Sequence, residues 1–254
     1  SGLFARKAWF FFDDEFICLG AGIRCNTRNP VVTTLNQCFL HGEVIVSGDG
    51  SSRKIPIGDR ALERAAWVYH DSIAYVFPQP QRVHLANGPR TGSWWEINHI
   101  HPREPVTRDV FTLWLDHGAD PANANYAYIV APGMNPADLA AYCQKPPVEI
   151  LANGSNLQAT RHSGLGIAGI AFYEPGKLNI GNSLIIETDN PCLLLVREDG
   201  RRLEITASNP ENKGIRLTVR IGNTEGKSFQ TLVFDLPDGE YAGMSMTKMV
   251  TMGK

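Results

Sequence analysis

Aromatic and β-branched residues come in short runs along this chain, separated by clusters of Gly, Pro, Asn and Asp. Val31-Val32-Thr33-Thr34-Leu35, Glu43-Val44-Ile45-Val46, Ala66-Trp67-Val68-Tyr69 and Ile73-Ala74-Tyr75-Val76-Phe77 read as strands, because such residues fit a pleated, half-buried surface. So do Val110-Phe111-Thr112-Leu113-Trp114-Leu115 and Tyr126-Ala127-Tyr128-Ile129-Val130. Ser47-Gly48-Asp49-Gly50 and Asn87-Gly88-Pro89 punctuate them as turns, and His70-Asp71-Ser72 joins two aromatic strands tightly. The densest run is Trp9-Phe10-Phe11-Phe12. Four aromatics in a row leave no polar side, so both faces of this first strand are expected to be covered. Asp13-Asp14-Glu15 then forms an exposed acidic corner before a second apolar strand from Phe16 to Ile23.

One segment breaks the pattern. Asn135 suits a helix N-cap, Pro136 the first helical position and Asp138 the first turn, which predicts one short helix near 136–145. Pro146-Pro147 stops it and marks a linker, so the chain is divided into residues 1–146 and 147–254. Beyond it the strands alternate more regularly. Val148-Glu149-Ile150-Leu151, Ile167-Ala168-Gly169-Ile170-Ala171-Phe172, Ser183-Leu184-Ile185-Ile186-Glu187 and Cys192-Leu193-Leu194-Leu195-Val196 are examples. Arg216 and Arg220 alternate with Leu217 and Val219, giving that strand one wet face. The fold class is therefore all-β: a large antiparallel β-sandwich followed by a smaller one.

Composition narrows the partners. Of 254 residues, 43% are hydrophobic and 20% charged, which suits a packed core rather than a disordered chain. A net charge of −2 gives no nucleic-acid footprint, and no apolar run approaches the roughly 18 residues that cross a membrane. The five cysteines (Cys18, Cys25, Cys38, Cys143 and Cys192) are odd in number and lack C-x-x-C spacing, against zinc or redox motifs. The chain starts almost directly on a strand with no signal peptide, which reads as a processed or truncated amino terminus.

Candidate chemistry is sparse. Clustered carboxylates at Asp13-Asp14-Glu15 suit a hard cation, but a solvated corner accounts for them. His99-Ile100-His101 lacks a third ligand nearby, and Pro102 closes the segment. Asp116-His117-Gly118 is expected to turn the chain after Leu115, since no G-x-S-x-G nucleophile elbow occurs. Gly164-Leu165-Gly166-Ile167-Ala168-Gly169 mimics a dinucleotide fingerprint without the helix that would give it meaning. Gly92-Ser93-Trp94-Trp95-Glu96-Ile97-Asn98 carries more. Paired indoles next to a carboxylate and an amide can stack on a sugar ring and bond its hydroxyls, so Trp94, Trp95, Glu96 and Asn98 are the substrate-binding candidates. No catalytic residue, metal or cofactor is expected.

Residues 7–23 resemble a signature of polysaccharide lyase family 8, the hyaluronate, chondroitin AC and xanthan lyases. Further blocks match in order: Val32-Thr33-Thr34, Trp67-Val68-Tyr69-His70-Asp71, Gly92-Ser93-Trp94, Phe111 to Gly118, and Tyr126 to Gly133. The stretch from Val148 to Phe172 looks like the start of the family's carboxy-terminal β domain. The resemblance implies an α/α-toroid followed by a central and a terminal sandwich, of which this chain holds part of the central one and the terminal one. It implies β-elimination beside a uronic acid, with a Tyr or His removing the C5 proton and an Asn neutralising the carboxylate. Those groups belong to the toroid and to an earlier part of the central domain, so none is carried onto a position here. On this reading the partners are an acidic polysaccharide and the toroid, the protein is bacterial and secreted or periplasmic, and this chain alone is inactive. The alternative is a non-catalytic carbohydrate-binding or structural module.

Overall fold

The computed structural model describes residues 2–48, 50–181, 184–223 and 229–251. Asp49 and Ser183, read from the sequence as a turn residue and the start of a strand, lie outside the described residues. The architecture is all-β, in multiple antiparallel sheets, with two short α-helices among the described residues. Among the described residues no helix is long and apolar enough to cross a membrane.

The chain opens on a hairpin of β1 (Phe4–Phe11) and β2 (Phe16–Arg24). Ile17 through Ile23 are all buried, so β2 is covered on both faces. β1 corrects the expectation drawn from its four aromatics. It alternates after all: Ala8, Phe10 and Phe12 turn inward, while Trp9 is 52% and Phe11 72% exposed. Period-two geometry sends neighbours to opposite faces whatever their hydrophobicity. The acidic corner is corrected as well. Asp13 and Asp14 are exposed but Glu15 is buried, and its charge, after burial itself, raises the pKa of Tyr142.

The chain folds into two compact units. Ile23–Lys145 and Asp13–Phe16 belong to one; Ala5–Phe12 and Ile17–Gly22 group with the residues from Pro146 onward in the other. In the first unit run β3 (Pro30–Phe39), β4 (Ile45–Gly48), β5 (Ser51–Lys54), β6 (Gly58–His70), β7 (Ile73–Gly92), β8 (Val106–Ala119) and β9 (Ala124–Pro132). Their sheet order is β9-β7-β6-β4-β5, with β8 paired to β7 and β3 to β8. His70↔Ile73 closes the β6–β7 hairpin over Asp71 and Ser72, both at positive φ, the two-residue turn expected at His70-Asp71-Ser72.

β7 is twenty residues long, far beyond the five read from the sequence. Along one edge it follows β6; along the other it pairs with β9 through Ile73–Val76 and with β8 through His84–Gly92. The exchange of partners spans Pro78-Gln79-Pro80, where proline has no N–H to give a ladder. Asn87-Gly88-Pro89 is therefore not a turn. Asn87 sits in mid-strand between Gly58 and Phe111, and Gly88 takes a φ of 138° without leaving the ladder. Asp116-His117-Gly118 does not turn the chain either. β8 continues to Ala119 through a bulge against β3, with Gly118 at φ 76° donating its N–H to Asp116 Oδ1 at 2.8 Å.

α2 (Leu139–Gln144) is the predicted helix with a later start. Residues 136–138 form a turn, in which Asn135 Oδ1 accepts from Ala137 N at 3.0 Å. Asn135 thus caps that turn, and regular helix begins only at Leu139, which is fully buried.

The second unit contains β10 (Val148–Asn153), β11 (Leu157–His162), β12 (Ile167–Phe172), β13 (Gly176–Ile180), β14 (Leu184–Thr188), β15 (Cys192–Asp199), β16 (Arg202–Ser208), β17 (Ile215–Asn223), β18 (Phe229–Leu236) and β19 (Met246–Thr251). They form a six-stranded sheet, β10-β11-β12-β15-β16-β19, and a four-stranded one, β13-β14-β17-β18. Ile170, Phe172, Leu194 and Ile205 from the first join Ile186, Leu217, Val219 and Phe234 from the second in one buried core. Arg216 and Arg220 are exposed on the opposite face of β17, as their alternation predicts. Gly169 answers for part of the glycine-rich motif. A Cβ there would meet Phe10 Cδ1 at 2.5 Å, so the bare backbone is the seat of the Phe10 ring. Trp9 and Phe11 border a groove of about 510 Å³, on whose other wall lie Leu193 and Leu195.

Candidate functional site

Residues 93–105 connect β7 to β8 above the Gly92↔Val106 pair, which fixes the base of the segment. Ser93-Trp94-Trp95-Glu96 begins a single helical turn, α1 (Trp94–Ile97), which the sequence did not predict. It ends at once because Asn98 is extended, at φ −145°. Backbone bonds hold the shape: Asn98 N to Trp94 O at 2.9 Å and His101 N to Asn98 O at 3.0 Å. Asn98 Oδ1 also accepts from Ile100 N at 3.3 Å, so this side chain orders the segment as well as facing solvent.

α1 contributes no residue to the core. Trp94 is 60% exposed and Glu96 and Asn98 are exposed, while Trp95 is half-buried. The four candidate residues are thus brought together on one short solvent-facing segment. His99 stacks on Trp95, with ring centres 4.3 Å apart and planes 25° from parallel. His101 leans against Trp94 at 6.5 Å. The two histidines are therefore each placed against a different indole. Among the described residues no group of three or more His, Cys, Asp or Glu side chains is arranged to hold a metal. Sequence reasoning missed Arg103, whose guanidinium carbon lies 4.1 Å from the centre of the Trp95 ring. An Arg eight positions from an indole, across a proline, leaves no periodic signal.

A second group of reactive residue types sits deeper in the same unit. His70 is 1% exposed and stacks on Phe111, with centres 4.3 Å apart. Its Nε2 accepts from the His41 backbone N–H at 3.0 Å, and its Nδ1 lies 3.8 Å from Cys38 Sγ. Asn36 Nδ2 donates to the Tyr75 hydroxyl. Burial lowers the His70 pKa, raises that of the Cys38 thiol and pushes Tyr75 up to about 12. All three are held neutral at pH 7, and His70 has no exposed face to meet a substrate. The cluster packs His70 and Tyr75 against the buried Phe111 ring.

Two antiparallel β units with an aromatic segment standing clear of the core define the class: an all-β sandwich protein with an exposed aromatic surface. Residues 1–143 match the model of the polysaccharide lyase family 8 super-sandwich domain, and residues 149–218 that of the family's C-terminal β-sandwich domain. This chain belongs to polysaccharide lyase family 8. It is 39% identical to the chondroitinase-AC of Pedobacter heparinus over 243 residues, covering 95% of this chain and 34% of that protein. It is 32% identical to a hyaluronate lyase of Thermasporomyces composti, over 99% of this chain and 34% of that protein. A chondroitinase AC lyase structure determined with oligosaccharides superposes with a TM-score of 0.91 at 37% identity, over 97% of this chain and 36% of that one. The chain thus spans about a third of the length of these relatives.

Proposed function

We propose that this chain is the β-sandwich portion of a lyase that opens uronic-acid-containing polysaccharide, chondroitin- or hyaluronan-like, by β-elimination. Residues 1–146 supply part of the central sandwich and residues 147–254 the terminal one, both bracing a helical toroid that carries the proton-transfer groups. The observation that carries this reading is the ordered match of both sandwich domains across nearly the whole chain. The enzyme is secreted or periplasmic, where such polymers are met. Trp94, Trp95, Glu96 and Asn98 contact the saccharide: exposed indoles stack on the C–H face of a sugar ring, and the carboxylate and amide bond its hydroxyls.

A chimera tests it. The matching third of the Pedobacter heparinus chondroitinase-AC is exchanged for this chain, and formation of the unsaturated uronate is followed by its ultraviolet absorbance. Turnover by the chimera with none by the isolated chain is expected. A folded but inactive chimera, or appreciable turnover by the isolated chain, overturns the proposal.

A further inference from the structure

Two arginines of the first unit pair with carboxylates, Arg90 with Asp59 and Arg82 with Glu63 at 3.5 Å, and Arg24 lies over the Phe4 ring, its guanidinium carbon 3.9 Å from the centre. Arg103 also lies over a ring, but on the exposed segment that carries Trp94, Glu96 and Asn98. It is exposed, and its partner is the Trp95 ring, which His99 stacks upon as well. Glu96 and Glu104 lie on the same segment, yet among the described residues no carboxylate forms an ion pair with Arg103. An aromatic ring engages the flat face of a guanidinium and leaves its five in-plane N–H donors uncommitted. The stack also fixes the side chain in advance, which lowers the ordering cost of a later bond.

We propose that Arg103 makes this segment a recognition site for the anionic group of an acidic saccharide. The guanidinium, steadied on Trp95, donates its forked N–H pair to two oxygens of one oxyanion. Trp94, 60% exposed, takes the apolar face of the adjoining sugar ring. His99 is a positioning residue that holds the Trp95 indole on which Arg103 lies. Carboxylate and sulfate both present paired acceptor oxygens to such a fork, so the chemistry read is an oxyanion on a sugar. This inference rests on the reading of Trp94 and Trp95 as saccharide contacts.

The test is a titration of the full chain with three tetrasaccharides of the same backbone: one bearing carboxylates only, one bearing sulfates with its carboxyls esterified, and one esterified and unsulfated. Thermal unfolding of each variant accompanies it, and an exposed Arg103 is expected to leave the melting temperature unchanged on replacement. Arg103→Gln should weaken binding of the anionic probe it reads by roughly tenfold or more and leave the neutral probe unaffected. Whichever charged probe loses affinity identifies carboxylate or sulfate as the source. Arg103→Lys, which keeps the charge and loses the planar fork of donors, should fall between wild type and Arg103→Gln. An equal effect of Arg103→Gln on all three probes, or on none, overturns the assignment. If Trp94→Ala abolishes binding while Arg103→Gln leaves the charge preference intact, only the Arg103 assignment fails. If the wild type binds none of the probes, or Trp94→Ala leaves all binding intact, the saccharide reading fails with it.

Discussion

The first unit holds two groups of chemically capable residues in opposite circumstances. Asn36, Cys38, His70 and Tyr75 carry the residue types of nucleophilic and acid–base catalysis, and they lie around the buried Phe111 ring in neutral forms. Trp94, Trp95 and Arg103 carry types usual in cores and ion pairs, and they stand on a one-turn helix with no buried residue and the loop that follows it. The difference teaches that environment, not residue type, assigns the role. Burial makes a potential base a packing element, and exposure leaves an indole open to solvent.

The contrast can be broken at its deepest point first. Phe111→Ala removes the ring that both His70 and Tyr75 pack upon and is expected to cost about 3–5 kcal/mol of folding free energy, measured by denaturant unfolding. A loss below about 1 kcal/mol would mean that the cluster is not the structural element described. Tyr75→Phe is milder. It deprives the Asn36 amide of its hydroxyl partner, and a loss of about 1–3 kcal/mol is expected from the same measurement.

Acid sharpens the comparison through His70. Its folded pKa lies below the ordinary value of about 6.5, so as pH falls the unfolded chain takes up the proton before the folded one does. His70's contribution to stability is intact above that value and is lost as pH drops from it toward the folded pKa. Protonation of Nε2 would also break the bond from His41 N. Melting temperatures followed downward from about pH 7.5 should show this loss, and His70→Gln should flatten it. An unchanged slope in the variant would remove His70 as the cause. Smallest of all is Trp94→Ala, expected to shift stability by no more than about 0.5 kcal/mol while weakening oligosaccharide binding. A melting temperature falling as far as in Phe111→Ala would place that indole in the core and erase the distinction.

Alternation is legible wherever one face is wet, and Arg216-Leu217-Thr218-Val219-Arg220 is read correctly from its letters alone. The strand Trp9-Phe10-Phe11-Phe12 is not, because uniform hydrophobicity hides the period that the backbone still imposes. Asn87-Gly88-Pro89 and Asp116-His117-Gly118 have turn chemistry, yet pairing with neighbouring strands keeps both segments in the ladder. Sheet partners distant in sequence outvote local preference there. At the candidate site the aromatic pair is visible as a motif. Its exposure and the placement of Arg103 follow from how the segment folds back on itself over Asn98, which no spacing rule encodes.

The partner exchange along β7 has a consequence for hydrogen exchange. One strand backs onto β6 from Ile73 to Asn87, and on its other edge it holds β9 by one end and β8 by the other. Releasing β7 frees edges of three strands at once, so its amides in Ile73–Val76 and His84–Gly92 should share one slow opening event rather than two. Pro78-Gln79-Pro80 marks the seam between them: two residues without amide hydrogens flank Gln79, whose own amide should exchange early. Such a pattern would make β7 the spine on which the unit opens and closes as a whole.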